Sequence, residues 1–155
     1  VRTDVLQYWC LPCSLSYTEV VYIHEMGIKG KRKVGTIMAG AGPMGLGALT
    51  YALHRDVRPS MVVVTDLNQD RLDRAEELFP VETYKKEGIE LHFVNTGKFE
   101  DPVAELIRIS GGTGYDDVFC YAPVAAVVKQ SSDILGRDGC LNFLQDQLTR
   151  TSVQP

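Results

Sequence analysis

The chain has 155 residues, enough for one well-buried domain and too few for two of ordinary size. Its 45% hydrophobic and 23% charged residues are the proportions of a soluble globular protein, and a net charge of −4 without a basic stripe argues against DNA or RNA as a partner. Apolar runs are only strand-length, and the first residues lack the charged, apolar and small-residue order of a secretion signal, so no membrane span is expected and the expected compartment is the cytoplasm.

Residues 1–13 show no clear period beyond strand character over 5–9. Cys10 and Cys13 form a CxxC with no second pair and only His24 nearby, which reads as two thiols ahead of a helix rather than a zinc site or redox dithiol. Cys120 and Cys140 fall in predicted strands, where a reduced thiol packs as a small apolar group. No metal ligand is assigned. Ser16 and Glu19 have capping-box spacing, and Val20, Ile23 and Met26 recur at helical intervals, which predicts a helix over 17–26 stopped by Gly27. The basic run 29–33 then reads as a solvated connection.

The first clear strand holds Val34, Ile37, Met38 and Ala39 and runs into Gly40, Gly42 and Gly45 in GxGxxG spacing. Helical periodicity follows at Leu46, Leu49 and Leu53. The three glycines serve different physical ends. Gly40 makes the tight turn, Gly42 lets backbone approach a pyrophosphate, and Gly45 brings helix and strand together. The helix N-terminus offers N–H groups and partial positive charge to the phosphates. A second strand over 61–65 ends at Asp66, 21 residues after Gly45, close to the spacing of a ribose-binding acid. A carboxylate there accepts ribose hydroxyls and repels a 2′-phosphate, which favours NAD over NADP.

The alternation continues. Asn68 caps a helix whose apolar face is Leu72, Ala75, Leu78 and Phe79, with Pro80 as its stop. Residues 81–88 read as loop or frayed helix, 89–94 as a third strand, and Asn95-Thr96-Gly97 as a turn. Asp101-Pro102 opens a helix with Val103, Leu106 and Ile107 as its stripe. A fourth strand spans 117–121. Pro123 opens a last helix with Val124, Val127, Val128 and Leu135 at core spacing, ended by Gly136, and 140–144 makes a fifth strand. Strands joined by crossover helices force a parallel sheet covered on both faces. The expected fold is α/β, a Rossmann-type doubly wound sheet of five or six strands in order 3-2-1-4-5-6, with ligand at the carboxyl ends around strands one and four. Strand five, left as an edge, makes a homo-oligomer conceivable. His24, His54 and His92 show no partner set for proton transfer and read as structural.

The segments HEMGI (24–28), GAGPMGLGA (40–48), VVVTDLNQDRLDRA (62–75), HFVNT (92–96), GYDDVFCYAPV (114–124) and LGRDGCLNF (135–143) together resemble the nucleotide-binding domain of zinc-type medium-chain alcohol and sorbitol dehydrogenases, above all the L-sorbose 1-phosphate reductase type. The resemblance implies hydride transfer between a nicotinamide ring and a sugar-alcohol carbon, with zinc in the parent enzyme but not in this chain. On the cofactor side, Gly40, Gly42, Pro43, Met44 and Gly45 match the pyrophosphate turn, Asp66 the ribose acid, and Arg71 a residue near the adenine. Asn95 and the segment Tyr121, Ala122 and Pro123 match crevice-lining positions. No catalytic residue is carried over. The chain is expected to be a single nucleotide-binding domain with a core over 24–144 and atypical ends, a fragment inactive without its missing catalytic domain. Two other classes share the glycine turn: a stand-alone nucleotide sensor, and a methyltransferase using S-adenosylmethionine, which the GPMGLG and GYDDVF wording disfavours.

Overall fold

The computed structural model describes residues 35–54, 58–122 and 124–143. The helix expected over 17–26, the strand character of 5–9, Cys10, Cys13, His24, the basic run and Pro123 lie outside the described residues. Strand β1 (Thr36–Ala39) is paired on one side with β2 (Met61–Asp66) and on the other with β4 (Tyr115–Cys120). Strand β3 (Glu90–Asn95) lies beyond β2, and β5 (Leu135–Phe143) beyond β4, giving the all-parallel order β3-β2-β1-β4-β5. This is the expected doubly wound sheet with five strands among the described residues.

Parallel neighbours require crossovers, and these are helices. They are α1 (Pro43–His54), α2 (Gln69–Leu78), α3 (Val81–Lys86), α4 (Pro102–Ile109) and α5 (Ala125–Asp133). The chain winds outward from β1 to β3 and then crosses back to β4, so the right-handed crossover rule places the first helices on one face and the later ones on the other. The core divides accordingly. Ala48, Leu49, Ala52 and Leu53 of α1 and Leu72 of α2 pack with Val62, Val64 and Leu91 on one face. On the other, Leu106 of α4 and Ile134 pack with Ile37, Val63 and Val118. Three consecutive valines of β2 are fully buried because alternate side chains enter opposite cores.

Caps fix the helix starts. The Asn68 side chain accepts from the Arg71 N–H at 3.4 Å, and Asp101 accepts from Ala104 N–H at 3.0 Å with Pro102 in the first turn. Residues 81–86 form the helix α3, one of the two readings open for this stretch, and the Tyr84 ring centroid lies 6.3 Å from that of Phe79. Three expectations need correction. Leu78 is exposed, because Leu72, Ala75 and Phe79 alone hold the buried stripe. Val124 is 61% exposed at the start of α5 instead of packing in the core. Finally, Leu135 and Gly136 belong to β5. Leu135 pairs with Tyr115, the chain then loops out through Asp138 at φ 64°, and pairing resumes at Cys140 opposite Asp117.

The start of β4 is irregular too. Both Asp116 and Asp117 N–H groups donate to the Gly35 carbonyl, at 3.0 and 3.3 Å, a bulge that puts Tyr115 on the same face as Val118. The Tyr115 hydroxyl then donates to the Leu106 carbonyl at 2.7 Å and ties α4 to the sheet.

Candidate functional site

At the carboxyl end of β1 the chain leaves the sheet through Gly40, whose φ of 122° only glycine adopts without strain. Its N–H donates to the Thr65 carbonyl at 2.8 Å. The next amide, Ala41 N–H, donates to Asp66 Oδ2 at 2.9 Å. Gly45, in the first turns of α1, lies so close to the turn that a Cβ would stand 1.7 Å from the Gly40 carbonyl oxygen. At Gly42 a Cβ would meet nothing within 4 Å. Gly45 is therefore glycine because of the fold, whereas no neighbour in the chain requires glycine at Gly42. Open space over a turn, beside the polarised start of α1, suits a close-fitting anionic group.

Asp66 closes the other side. Its Oδ1 accepts from Asn68 N–H at 2.9 Å, and the Arg71 guanidinium stands 3.7 Å from Oδ2. The carboxylate is nearly buried, while Arg71 is largely exposed. Leu67, the next residue, is 69% exposed, which for a leucine offers apolar surface to a ligand.

These groups share one crevice of about 270 Å³ at the point where the strand order reverses. Gly40, Gly42, Pro43, Met44 and Gly45 line it from the turn, Asp66 and Arg71 from β2 and α2, and Tyr121 and Ala122 from the end of β4. Asn95 is not among the lining residues. Its side chain donates to Gln69 Oε1 at 3.1 Å and accepts from Gly97 N–H at 3.0 Å, capping the short helical turn Thr96–Lys98. Sequence reasoning missed Leu67 and Thr96 at the crevice, and Val127, Gln130 and Ser131 of α5. A signal existed for α5: a helix entered from β4 at the switch point must pass the crevice.

A second, larger depression of about 540 Å³ lies along β3 and includes His92, Lys98, Glu105 and Arg108. Its Arg108 guanidinium is taken up by Glu105 through two hydrogen bonds of 2.8 and 2.7 Å, and it holds neither the glycine turn nor the acid. His54 stands in the last turn of α1, its Nδ1 2.7 Å from the Thr50 carbonyl. Among the described residues there is no group of three or more His, Cys, Asp or Glu side chains that could hold a metal ion. No helix among them is long and apolar enough to cross a membrane.

A parallel sheet wound both ways from β1, with its crevice at the reversal, defines the Rossmann-type class. Solved structures agree: the zinc-dependent alcohol dehydrogenase 2 of Streptococcus pneumoniae superposes with a TM-score of 0.61 at 23% identity, over 84% of this chain and 34% of that one. The alcohol dehydrogenase of Aeropyrum pernix gives 0.59 at 23% identity, over 83% and 32%. No family model matches the chain. Curated proteins are similar in sequence as well. Mannitol-1-phosphate 5-dehydrogenase of Aliivibrio fischeri is 53% identical over 128 residues, and L-sorbose 1-phosphate reductase of Klebsiella pneumoniae is 38% identical over 122. The aligned parts are 81% and 79% of this chain but 30% and 28% of those proteins. The chain is thus similar in sequence to sugar-phosphate dehydrogenases and in fold to zinc-dependent alcohol dehydrogenases, and it spans about 30% of the length of the curated relatives it matches.

Proposed function

We propose that the chain is a nicotinamide-dinucleotide-binding domain of an oxidoreductase that moves a hydride to or from a carbon of a polyol or sugar phosphate, the substrate groups and any zinc being supplied by a catalytic domain of the parent protein. The observation that carries this reading is the convergence of the glycine turn and Asp66 in one crevice at the switch point. The open space over Gly42 and the start of α1 would hold the pyrophosphate. Asp66 would accept from the ribose diol, and the exposed face of Leu67 would carry the flat base. When bound, the nicotinamide ring supplies the hydride acceptor or donor. The names of the two curated relatives support the substrate class.

The preference for NAD rests on charge. A 2′-phosphate beside the Asp66 carboxylate would be repelled by about 3 kcal/mol at ~5 Å and an effective dielectric of ~20. Arg71, 3.7 Å from that carboxylate, offsets part of this but is largely exposed and screened, so discrimination is retained. Calorimetric titration with NADH, NADPH and S-adenosylmethionine tests the reading. NADH is expected to bind best. Failure of both nicotinamide nucleotides to bind at millimolar concentration would overturn the cofactor assignment, and tighter NADPH binding would remove Asp66 as the discriminator.

A further inference from the structure

We infer that Asp66 is a positioning residue that shapes the glycine turn in the free protein, before any nucleotide arrives. The ladder between β1 and β2 ends with the Gly40 N–H on the Thr65 carbonyl at 2.8 Å. One residue later, the backbone has turned at Gly40, with φ 122°, and the Ala41 N–H meets no strand carbonyl. It meets the Asp66 side chain instead, at 2.9 Å, so a carboxylate oxygen continues the tie between strand and turn. Ala41 is buried at 2% exposure, and an amide there without an acceptor would be costly. The carboxylate is itself fixed, Oδ1 by the Asn68 N–H at 2.9 Å and Oδ2 by Arg71 nearby.

Asp66 thus joins the turn, the end of β2 and the start of α2 through one side chain. Removing it releases the Ala41 amide whether or not a ribose is ever read there. Its consequence for nucleotide affinity rests on the dinucleotide reading, but its hold on the turn does not. The test is amide hydrogen exchange by NMR on the nucleotide-free chain, with Val118 in the sheet as an internal reference. Asp66→Ala is expected to speed exchange at Ala41 about tenfold or more relative to Val118, the loss of one charge-assisted bond. Asp66→Asn, which keeps an acceptor oxygen, should leave Ala41 close to the parent. If Asp66→Ala fails to fold, the parent decides: a scalar coupling across the hydrogen bond should join the Ala41 amide nitrogen to the Asp66 carboxyl carbon. Exchange at Ala41 that follows Val118 in Asp66→Ala, or the absence of that coupling in the parent, overturns the inference. A chain that binds no nicotinamide nucleotide yet shows the Ala41 response would refute the proposed function and leave this role intact.

Discussion

Two glycines three residues apart carry opposite obligations. Gly45 is fixed by contact with its own chain, since a Cβ 1.7 Å from the Gly40 carbonyl oxygen cannot be relieved by any rotamer. Gly45→Ala should therefore cost more than ~3 kcal/mol or abolish folding, as read by urea denaturation. A Cβ on Gly42 would meet nothing within 4 Å, and Gly42 itself lines the crevice. Gly42→Ala should leave urea stability unchanged or raise it by about 0.4–1 kcal/mol through the lost freedom of the unfolded chain. The same substitution should weaken NADH binding at least tenfold by calorimetry. If Gly42→Ala destabilises the free chain as Gly45→Ala does, the division between fold and ligand at this turn is mistaken. The spacing of three glycines was legible in the sequence; which were needed by the fold was not, because that depends on the approach of α1 to the turn, a distance set by tertiary packing.

Among the elements, α4 shows most clearly what periodicity can and cannot reveal. Its cap at Asp101, its Pro102 and its stripe of Val103, Leu106 and Ile107 were readable from local spacing, since each signal lies within one or two turns. Its anchor was not. Tyr115 reaches the Leu106 carbonyl only because the bulge at Asp116–Asp117 turns its ring to that face, and a bulge depends on a partner strand. The same holds for β5, whose excursion at Asp138 made one strand read as a helix end followed by a shorter strand. Tyr115→Phe should cost about 1 kcal/mol of stability, the net worth of one hydrogen bond. A pH signature accompanies it. Burial, with the Glu105 charge adding to it, raises the Tyr115 hydroxyl above its ordinary value of 10.0, so the folded state favours the neutral phenol. That contribution is complete below pH 10.0 and is lost as pH rises beyond it, because the unfolded chain gives up the proton first. The parent's denaturation midpoint should fall above that pH and Tyr115→Phe should show a smaller fall; parallel curves would exclude the phenol.

At the scale of the whole molecule, the crevice draws on every layer. Its walls come from the ends of β1, β2 and β4, from α1 and α2 on one face of the sheet and from α5 on the other. The two cores behind it share the same strands, with Val62 and Val64 in one and Val63 in the other, so neither face can loosen without disturbing its opposite. A ligand seated across these elements binds the folded chain and not the unfolded one. Under the proposed function, NADH at a hundred times its Kd should add ~2.7 kcal/mol of stability, which for a chain of this size corresponds to roughly 5–10 °C in Tm. Differential scanning calorimetry over a series of NADH concentrations checks this through the logarithmic rise that linkage demands. Gly42→Ala separates binding from folding: its Tm without nucleotide should match the parent's, and at the parent's NADH concentration its shift should shrink by at least ~1.4 kcal/mol, the equivalent of a tenfold loss of affinity. An equal shift in parent and variant would place the nucleotide away from the turn, and a Tm independent of NADH would exclude a dinucleotide held across the sheet.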